Sequence, residues 1–119
     1  MIIPIEFIML LSMVESIGNP HAIGRHGELG VLQMTSAYVQ DAAEHAGKDW
    51  THEDAIDEVL AIKIFRAYMA RYATEERLGR PVTLEDVARI HNGGPNGYLK
   101  KSTELYWKKV QWVMTQQSM

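Results

Sequence analysis

The stretch Met13–Met34, MVESIGNPHAIGRHGELGVLQM, marks where an apolar helix gives way to an irregular loop. Upstream, IEFIMLLSMV is apolar on nearly every helical face, the pattern of a helix sunk in a core. Pro4 suits a first helical turn, so a helix is predicted from Pro4 to about Ile17. Gly18, Asn19 and Pro20 then stop it. A loop rich in glycine and polar residues follows, with room for a short hairpin over residues 21–31. Glu15 stands at the junction, with Leu11 and Ile8 one and two turns back on its own face. Apolar surroundings and the negative end of a helix dipole both disfavour a charged carboxylate there. That is the condition for a general acid. The alternative is a solvated acid at a frayed helix end.

Downstream, the apolar spacing predicts a second helix from Met34 to Ala46, with Gly47 as its stop. Asp49 or Thr51 then caps a long third helix, about His52 to Leu78. Ala55, Ile56, Val59, Leu60, Ile62, Ile64, Phe65, Tyr68, Met69 and Tyr72 keep helical spacing along it. Thr83 opens a TLED capping box with Asp86 at the acid position. The helix it begins stops at Gly93-Gly94-Pro95. Ser102 or Thr103 caps a last amphipathic helix carrying Leu105, Tyr106, Val110 and Val113. The expected class is all-α, with at most a minor β-hairpin and about five helices.

At 119 residues the chain suits one domain, residues 1–119, long enough to bury a core without covalent staples. Hydrophobic residues make up 46% and charged residues 23%, which excludes a disordered chain. A net charge of −3 argues against nucleic acid as a partner. There is no cysteine, so disulfides and thiolate metal sites are excluded. The first apolar run lacks a basic segment before it and a small-residue cleavage site after it. It is also shorter than the roughly 20 residues that span a bilayer. No classical signal peptide and no membrane insertion are therefore expected. Synthesis in the cytoplasm and a monomeric state are the matching expectations.

A general acid often works beside a second carboxylate whose surroundings keep it charged. Glu28, in the glycine-rich loop, and Asp41, on the second helix, are the candidates. The stretch ARIHNGGPNGY, Ala88–Tyr98, is dense in turn residues and presents bare backbone that a ligand can approach closely. His91 and Asn92 place polar groups beside it. His21, His26, His45, His52 and His91 form no HxxxH or HExxH pair, so neither a metal nor another cofactor is expected. Tyr106, Trp107 and Trp112 at helical spacing suit packing better than sugar platforms. The lysine pairs at 100–101 and 108–109 suit a solvated face.

ARIHNGGPNG, followed by STELYWKKV, resembles the signature of invertebrate-type lysozymes, the destabilase-like family. Three further stretches agree in the same order. MVES resembles the segment around the family's catalytic glutamate. GVLQMTSAYVQD resembles its Gln-Ile-x-x-x-Tyr-Trp-x-Asp stretch, with Gln33, Tyr38 and Asp41 matching and Val39 in place of the Trp. AYMARYA, Ala67–Ala73, resembles its long-helix segment. The pattern ESIGNPHAIG…GELGVLQM is also similar to soluble lytic transglycosylases and goose-type lysozymes, which share the lysozyme-like α fold.

The resemblance implies a muramidase. Such an enzyme cleaves the β-1,4 bond between N-acetylmuramic acid and N-acetylglucosamine in peptidoglycan glycan strands. Glu15 matches the catalytic acid. His91, Asn92, Gly93 and Gly94 match the part of the motif that lines the cleft, with Tyr98 at its end, and Gln33 and Tyr38 match positions near the site. Two departures stand out. Family members are rich in disulfides, whereas this chain has none, which suits a phage endolysin or bacterial protein that reaches the wall after release or export. The family's second acid is an aspartate just before the glycine-rich segment, where this chain has Arg25 and His26. The second carboxylate is then either Glu28 or absent. Absence would favour a transglycosylase forming 1,6-anhydro products. A non-catalytic peptidoglycan-binding or virion module is the remaining alternative.

Overall fold

Pro4 lies just outside the first helix rather than within it. Its extended backbone (φ −63°, ψ 144°) precedes α1, Ile5–Ser16. Ile17 ends the helix in the left-handed region (φ 57°), and its N–H reaches back to the Met13 carbonyl. The computed structural model describes residues 1–117. Among these the other α-helices are α2 (Ser36–Ala46), α3 (Glu58–Tyr72), α4 (Glu75–Leu78), α5 (Leu84–Gly93) and α6 (Glu104–Gln117). Short 3₁₀ turns cover His52–Ile56, Gly97–Leu99 and Lys101–Thr103. The class is all-α, as the periodicity predicts.

The hairpin expected over residues 21–31 is reduced to isolated bridges between Ile23 and Leu29 and between Leu29 and Met34. Met34 is therefore part of the loop. The second helix starts two residues later than predicted, where the Thr35 side chain accepts from the Tyr38 N–H at 3.1 Å.

The single helix predicted from His52 to Leu78 is broken twice. The Asp57 carboxylate accepts from the Leu60 N–H at 3.0 Å, and the Thr74 hydroxyl accepts from the Arg77 N–H at 3.1 Å. Each side chain offers the backbone a cap in place of a continued helical bond. Apolar spacing runs through both breaks, so periodicity alone does not reveal them. Val59, one of the residues at helical apolar spacing, is 63% exposed.

α2 lies along α3, α1 along α6, and α5 touches both α3 and α6. The buried cluster between them includes Ile8 and Leu11 of α1, Ile64 and Phe65 of α3, Ile90 of α5 and Val110 of α6. Nearly every face of α1 is apolar because the helix is enclosed on several sides. Among the described residues no helix is long and apolar enough to cross a membrane.

The capping box of α5 forms as the sequence indicates. Thr83 Oγ1 accepts from the Asp86 N–H at 3.2 Å, and Asp86 Oδ2 accepts from the Thr83 N–H at 2.9 Å. Asp86 is buried, and Arg80 clasps it with Nη1 at 2.7 Å and Nη2 at 2.8 Å. Burial alone would push the Asp86 carboxyl up. The hydrogen bonds from Arg80 and Thr83, with the Arg80 charge, outweigh burial and hold it below the usual aspartate value. A depressed value in the fold means that the charged form contributes stability above the unfolded-state value, and that this is lost as pH falls through the folded value. Asp86→Asn should therefore cost about 1–2 kcal/mol at neutral pH in urea unfolding. The gap to the unaltered chain should close as pH falls below the ordinary aspartate value of 3.8. A gap that persists unchanged at low pH would contradict this account.

Candidate active site

Glu15 lies in the last turn of α1, with its side chain 17% exposed. It opens onto a cleft of about 390 Å³. The long loop after α1 turns back to supply Glu28 and Gln33, α2 supplies Tyr38 and Asp41, and the end of α5 supplies His91 and Asn92. Gly94 and Pro95 close one edge, and Thr35, Ala37 and Tyr68 complete the lining. A larger hollow of about 480 Å³ lies elsewhere, lined largely by apolar groups such as Ile3, Met69, Val82 and Val87. Size favours that hollow, but convergent polar side chains favour the cleft, and chemistry needs the latter.

His91 is deeply enclosed, its side chain only 2% exposed. Nδ1 lies 2.8 Å from Tyr38 Oη, and Nε2 lies 2.9 Å from the Leu32 carbonyl oxygen. A carbonyl can only accept, so Nε2 carries the hydrogen and Nδ1 accepts from the Tyr38 hydroxyl. The same Nε2 is 3.4 Å from Glu15 Oε2. On its other side, Glu15 Oε2 accepts a hydrogen bond from Tyr106 Oη of α6 at 2.9 Å. Tyr38 also stacks on Tyr68, with ring centroids 3.8 Å apart and 9° between planes. Burial pushes the Tyr38 phenol well up, helped by Tyr68 and by the charge of Glu15. Burial, then Asp41 and Tyr72, push Tyr68 up to about 12 against the opposing charges of Arg77 and Arg71. Both tyrosines thus remain neutral hydrogen-bond donors.

Glu28 is held by backbone. Its own N–H and that of His26, whose bond to Oε1 is 2.7 Å, keep its carboxyl below the ordinary glutamate value despite some desolvation. A carboxylate so held is ionised at neutral pH. Gln33 adopts φ 50°, rare for a residue with a side chain, and its Nε2 donates to the Ala22 and Gly30 carbonyls at 3.1 and 3.0 Å. These bonds stitch the loop and turn Gln33 into the cleft. Glu28 and Gln33 pass so close to Gly24 that a Cβ there would lie 2.8 Å from Glu28 Oε1 and 2.5 Å from Gln33 Oε1.

The glycine motif divides its work. Gly94 adopts φ 89° and borders the cleft. Gly93 faces away from it, where a Cβ would lie 2.5 Å from Thr103 Cγ2, so its role is close packing of α5 on the next turn. Tyr98 is also outside the lining, with the Arg77 guanidinium 5.8 Å from its ring centroid. Arg77 further donates to the Pro95 carbonyl at 2.6 Å and to Asn96 Oδ1 at 2.7 Å, so α4 clamps the turn. Of the residues singled out from sequence, Glu15, Glu28, Gln33, Tyr38, His91, Asn92 and Gly94 converge, whereas Gly93 and Tyr98 support the wall from behind. The spacing of Tyr106 suits packing, yet its hydroxyl reaches Glu15. Its one sequence signal is a polar tip on the inward face that carries Val110. Among the described residues no three His, Asp or Glu side chains converge as a metal site would require.

Residues 10–113 match the family model described as Destabilase. The chain belongs to the Destabilase family. It is 40% identical over 82 residues to Lysozyme 1 of Crassostrea virginica, an alignment covering 69% of this chain and 42% of that protein. It is 39% identical over 82 residues to the invertebrate-type lysozyme of Ruditapes philippinarum, covering 69% and 57%. The match thus spans about half the length of these relatives. Among solved structures, Tapes japonica lysozyme superposes with a TM-score of 0.73 at 33% identity, over 89% of this chain and 86% of that one. Meretrix lusoria lysozyme, in its complex with Aeromonas hydrophila PliI, gives 0.77 at 31% identity, over 92% and 88%. The fold is lysozyme-like.

Two NMR observations test this geometry. The ¹⁵N spectrum of His91 should show the hydrogen on Nε2. The Glu28 carboxyl should titrate below 4.5 and move up in Gly24→Ala, where the new methyl displaces Oε1, with little change in melting temperature. A hydrogen on His91 Nδ1, or a Glu28 titration indifferent to Gly24→Ala, would contradict it.

Proposed function

We propose that this chain is a muramidase, a lysozyme that hydrolyses the β-1,4 bond between N-acetylmuramic acid and N-acetylglucosamine in peptidoglycan. The observation that carries the proposal is the meeting, in one cleft, of Glu15 and Glu28. The two carboxyl groups are held by unlike partners: the Tyr106 phenol for Glu15, with the His91 ring 3.4 Å away, and backbone N–H groups for Glu28. Carboxylates in contrasting surroundings can divide acid and charge-stabilising work between them. The lysozyme names of relatives in the same family support this reading.

In the proposed reaction Glu15 gives its proton to the glycosidic oxygen. The bond from that oxygen to the sugar carbon breaks, and the electron pair leaves with the oxygen. Positive charge develops on the sugar ring, and ionised Glu28 stabilises it or positions the water that attacks. Water supplies the hydroxyl for the new reducing end, and its proton returns to Glu15. Gln33, Asn92 and the backbone at Gly94 present polar groups along the same wall for the sugar. The absence of cysteine suits synthesis in a reducing compartment. We extend the proposal to action on the wall after release or export, as a phage endolysin or a bacterial lytic enzyme working as a monomer.

Glu15→Gln should lower the rate of turbidity loss on peptidoglycan by about 100- to 10,000-fold, the range for losing a general acid, with the fold intact by circular dichroism. Glu28→Gln should lower it by about 100-fold or more, as for other groups aimed at developing charge. An unchanged rate for Glu15→Gln would overturn the proposal. An unchanged rate for Glu28→Gln alone would leave the single-glutamate transglycosylase route in its place.

A further inference from the structure

The Glu15 carboxyl group is not held symmetrically. Both of its polar neighbours meet Oε2: Tyr106 Oη at 2.9 Å and His91 Nε2 at 3.4 Å. The His91 distance exceeds that of a hydrogen bond, and its N–H is directed at the Leu32 carbonyl 2.9 Å away. Tyr106 is therefore the direct donor to Glu15. No described residue donates to Oε1, and no buried side-chain oxygen among the described residues lacks a partner, so Oε1 is open to solvent. Tyr106 itself is 9% exposed and sits on α6, 91 residues away in sequence. Burial, then the charge and hydrogen bond of Glu15, push its phenol well above the ordinary tyrosine value, so it stays a donor wherever the protein is folded. The other titratable neighbours of Glu15 in the site are His91 from α5, Tyr38 behind it from α2, and Glu28 and Asp41 in the cleft.

We propose that Tyr106 is a positioning residue for the general acid: it pins Oε2 of Glu15 and so selects Oε1 as the oxygen that delivers the proton. This rests on the assignment of Glu15 as the acid of a muramidase. An unpinned carboxyl rotates about its terminal bond and presents its proton in the productive direction only part of the time. With Oε2 fixed, the O–H bond that breaks is on Oε1, and the electron pair it leaves behind is shared with Oε2. Negative charge therefore grows on the atom to which Tyr106 donates. A hydrogen bond to a developing charge strengthens as the reaction proceeds, so Tyr106 stabilises the transition state more than the bound substrate. Its loss should appear in kcat and not in KM.

The experiment compares Tyr106→Phe and Glu15→Gln with the unaltered chain on soluble peptidoglycan fragments, with melting temperatures recorded. Tyr106→Phe should lower kcat about 10- to 100-fold, as expected for a hydrogen bond to a charged group. KM should stay unchanged. Should Tyr106→Phe unfold below the assay temperature, 3,5-difluorotyrosine at position 106 keeps the ring and makes the hydroxyl a stronger donor. It should raise kcat with KM unchanged. An unaltered kcat in either protein, or an effect confined to KM, overturns the positioning role. An active Glu15→Gln would instead overturn the muramidase assignment itself, so the two failures are distinguishable.

Discussion

His91 joins three segments that the chain keeps far apart. Its ring takes the Tyr38 hydroxyl of α2 on Nδ1, the Leu32 carbonyl of the glycine-rich loop on Nε2, and stands 3.4 Å from Glu15 of α1. Because the ring is buried, losing either hydrogen bond leaves an unpaired polar atom, at a cost of about 1–3 kcal/mol. The loop and α2 are thus held to α5, beside Glu15 of α1, by a group that tolerates one tautomer and one orientation. Phe65 of α3 lies against the same ring, with centroids 5.3 Å apart, so the packed core restrains it as well. The cleft exists where these segments meet.

Around that ring the acids are separated by the nature of their partners. Glu15 is anchored on a helix and accepts from the Tyr106 hydroxyl, whereas Glu28 is carried by a loop and held by backbone N–H groups. The loop is itself braced by Gln33, whose left-handed backbone turns its amide back onto the Ala22 and Gly30 carbonyls. Opposite, Arg77 braces the Pro95–Asn96 turn. Each brace fixes a wall of the cleft. Such support matters because a misplacement of about 1 Å can cost about 100-fold in rate.

Much of this was legible in the chain, for reasons that are local. The all-round apolar pattern of α1 and the Thr83–Asp86 box each depend on a few neighbouring residues, and both appear as expected. The convergence of Glu15, Gln33, Tyr38 and His91 was legible through an ordered set of motifs resembling one family. The breaks at Asp57 and Thr74 were not, because apolar spacing continues through them while the deciding event is a single side-chain cap. Tyr106 was hidden for the opposite reason. Its contact with Glu15 spans 91 residues, and its inward spacing with Val110 does not distinguish a phenol aimed at a carboxyl from one packed in the core. Gly93 shows how a motif can mislead in detail: it belongs to the signature, yet it serves packing against Thr103 rather than the cleft.

The central claim is that the Glu15 cleft hydrolyses the glycan strand. Mass spectrometry of fragments released from purified peptidoglycan tests it most directly, since it reads bond position and reaction type together. The account predicts disaccharide-peptide products ending in reducing N-acetylmuramic acid. Products ending in 1,6-anhydro rings, or binding to the polymer with no fragments released, would contradict it.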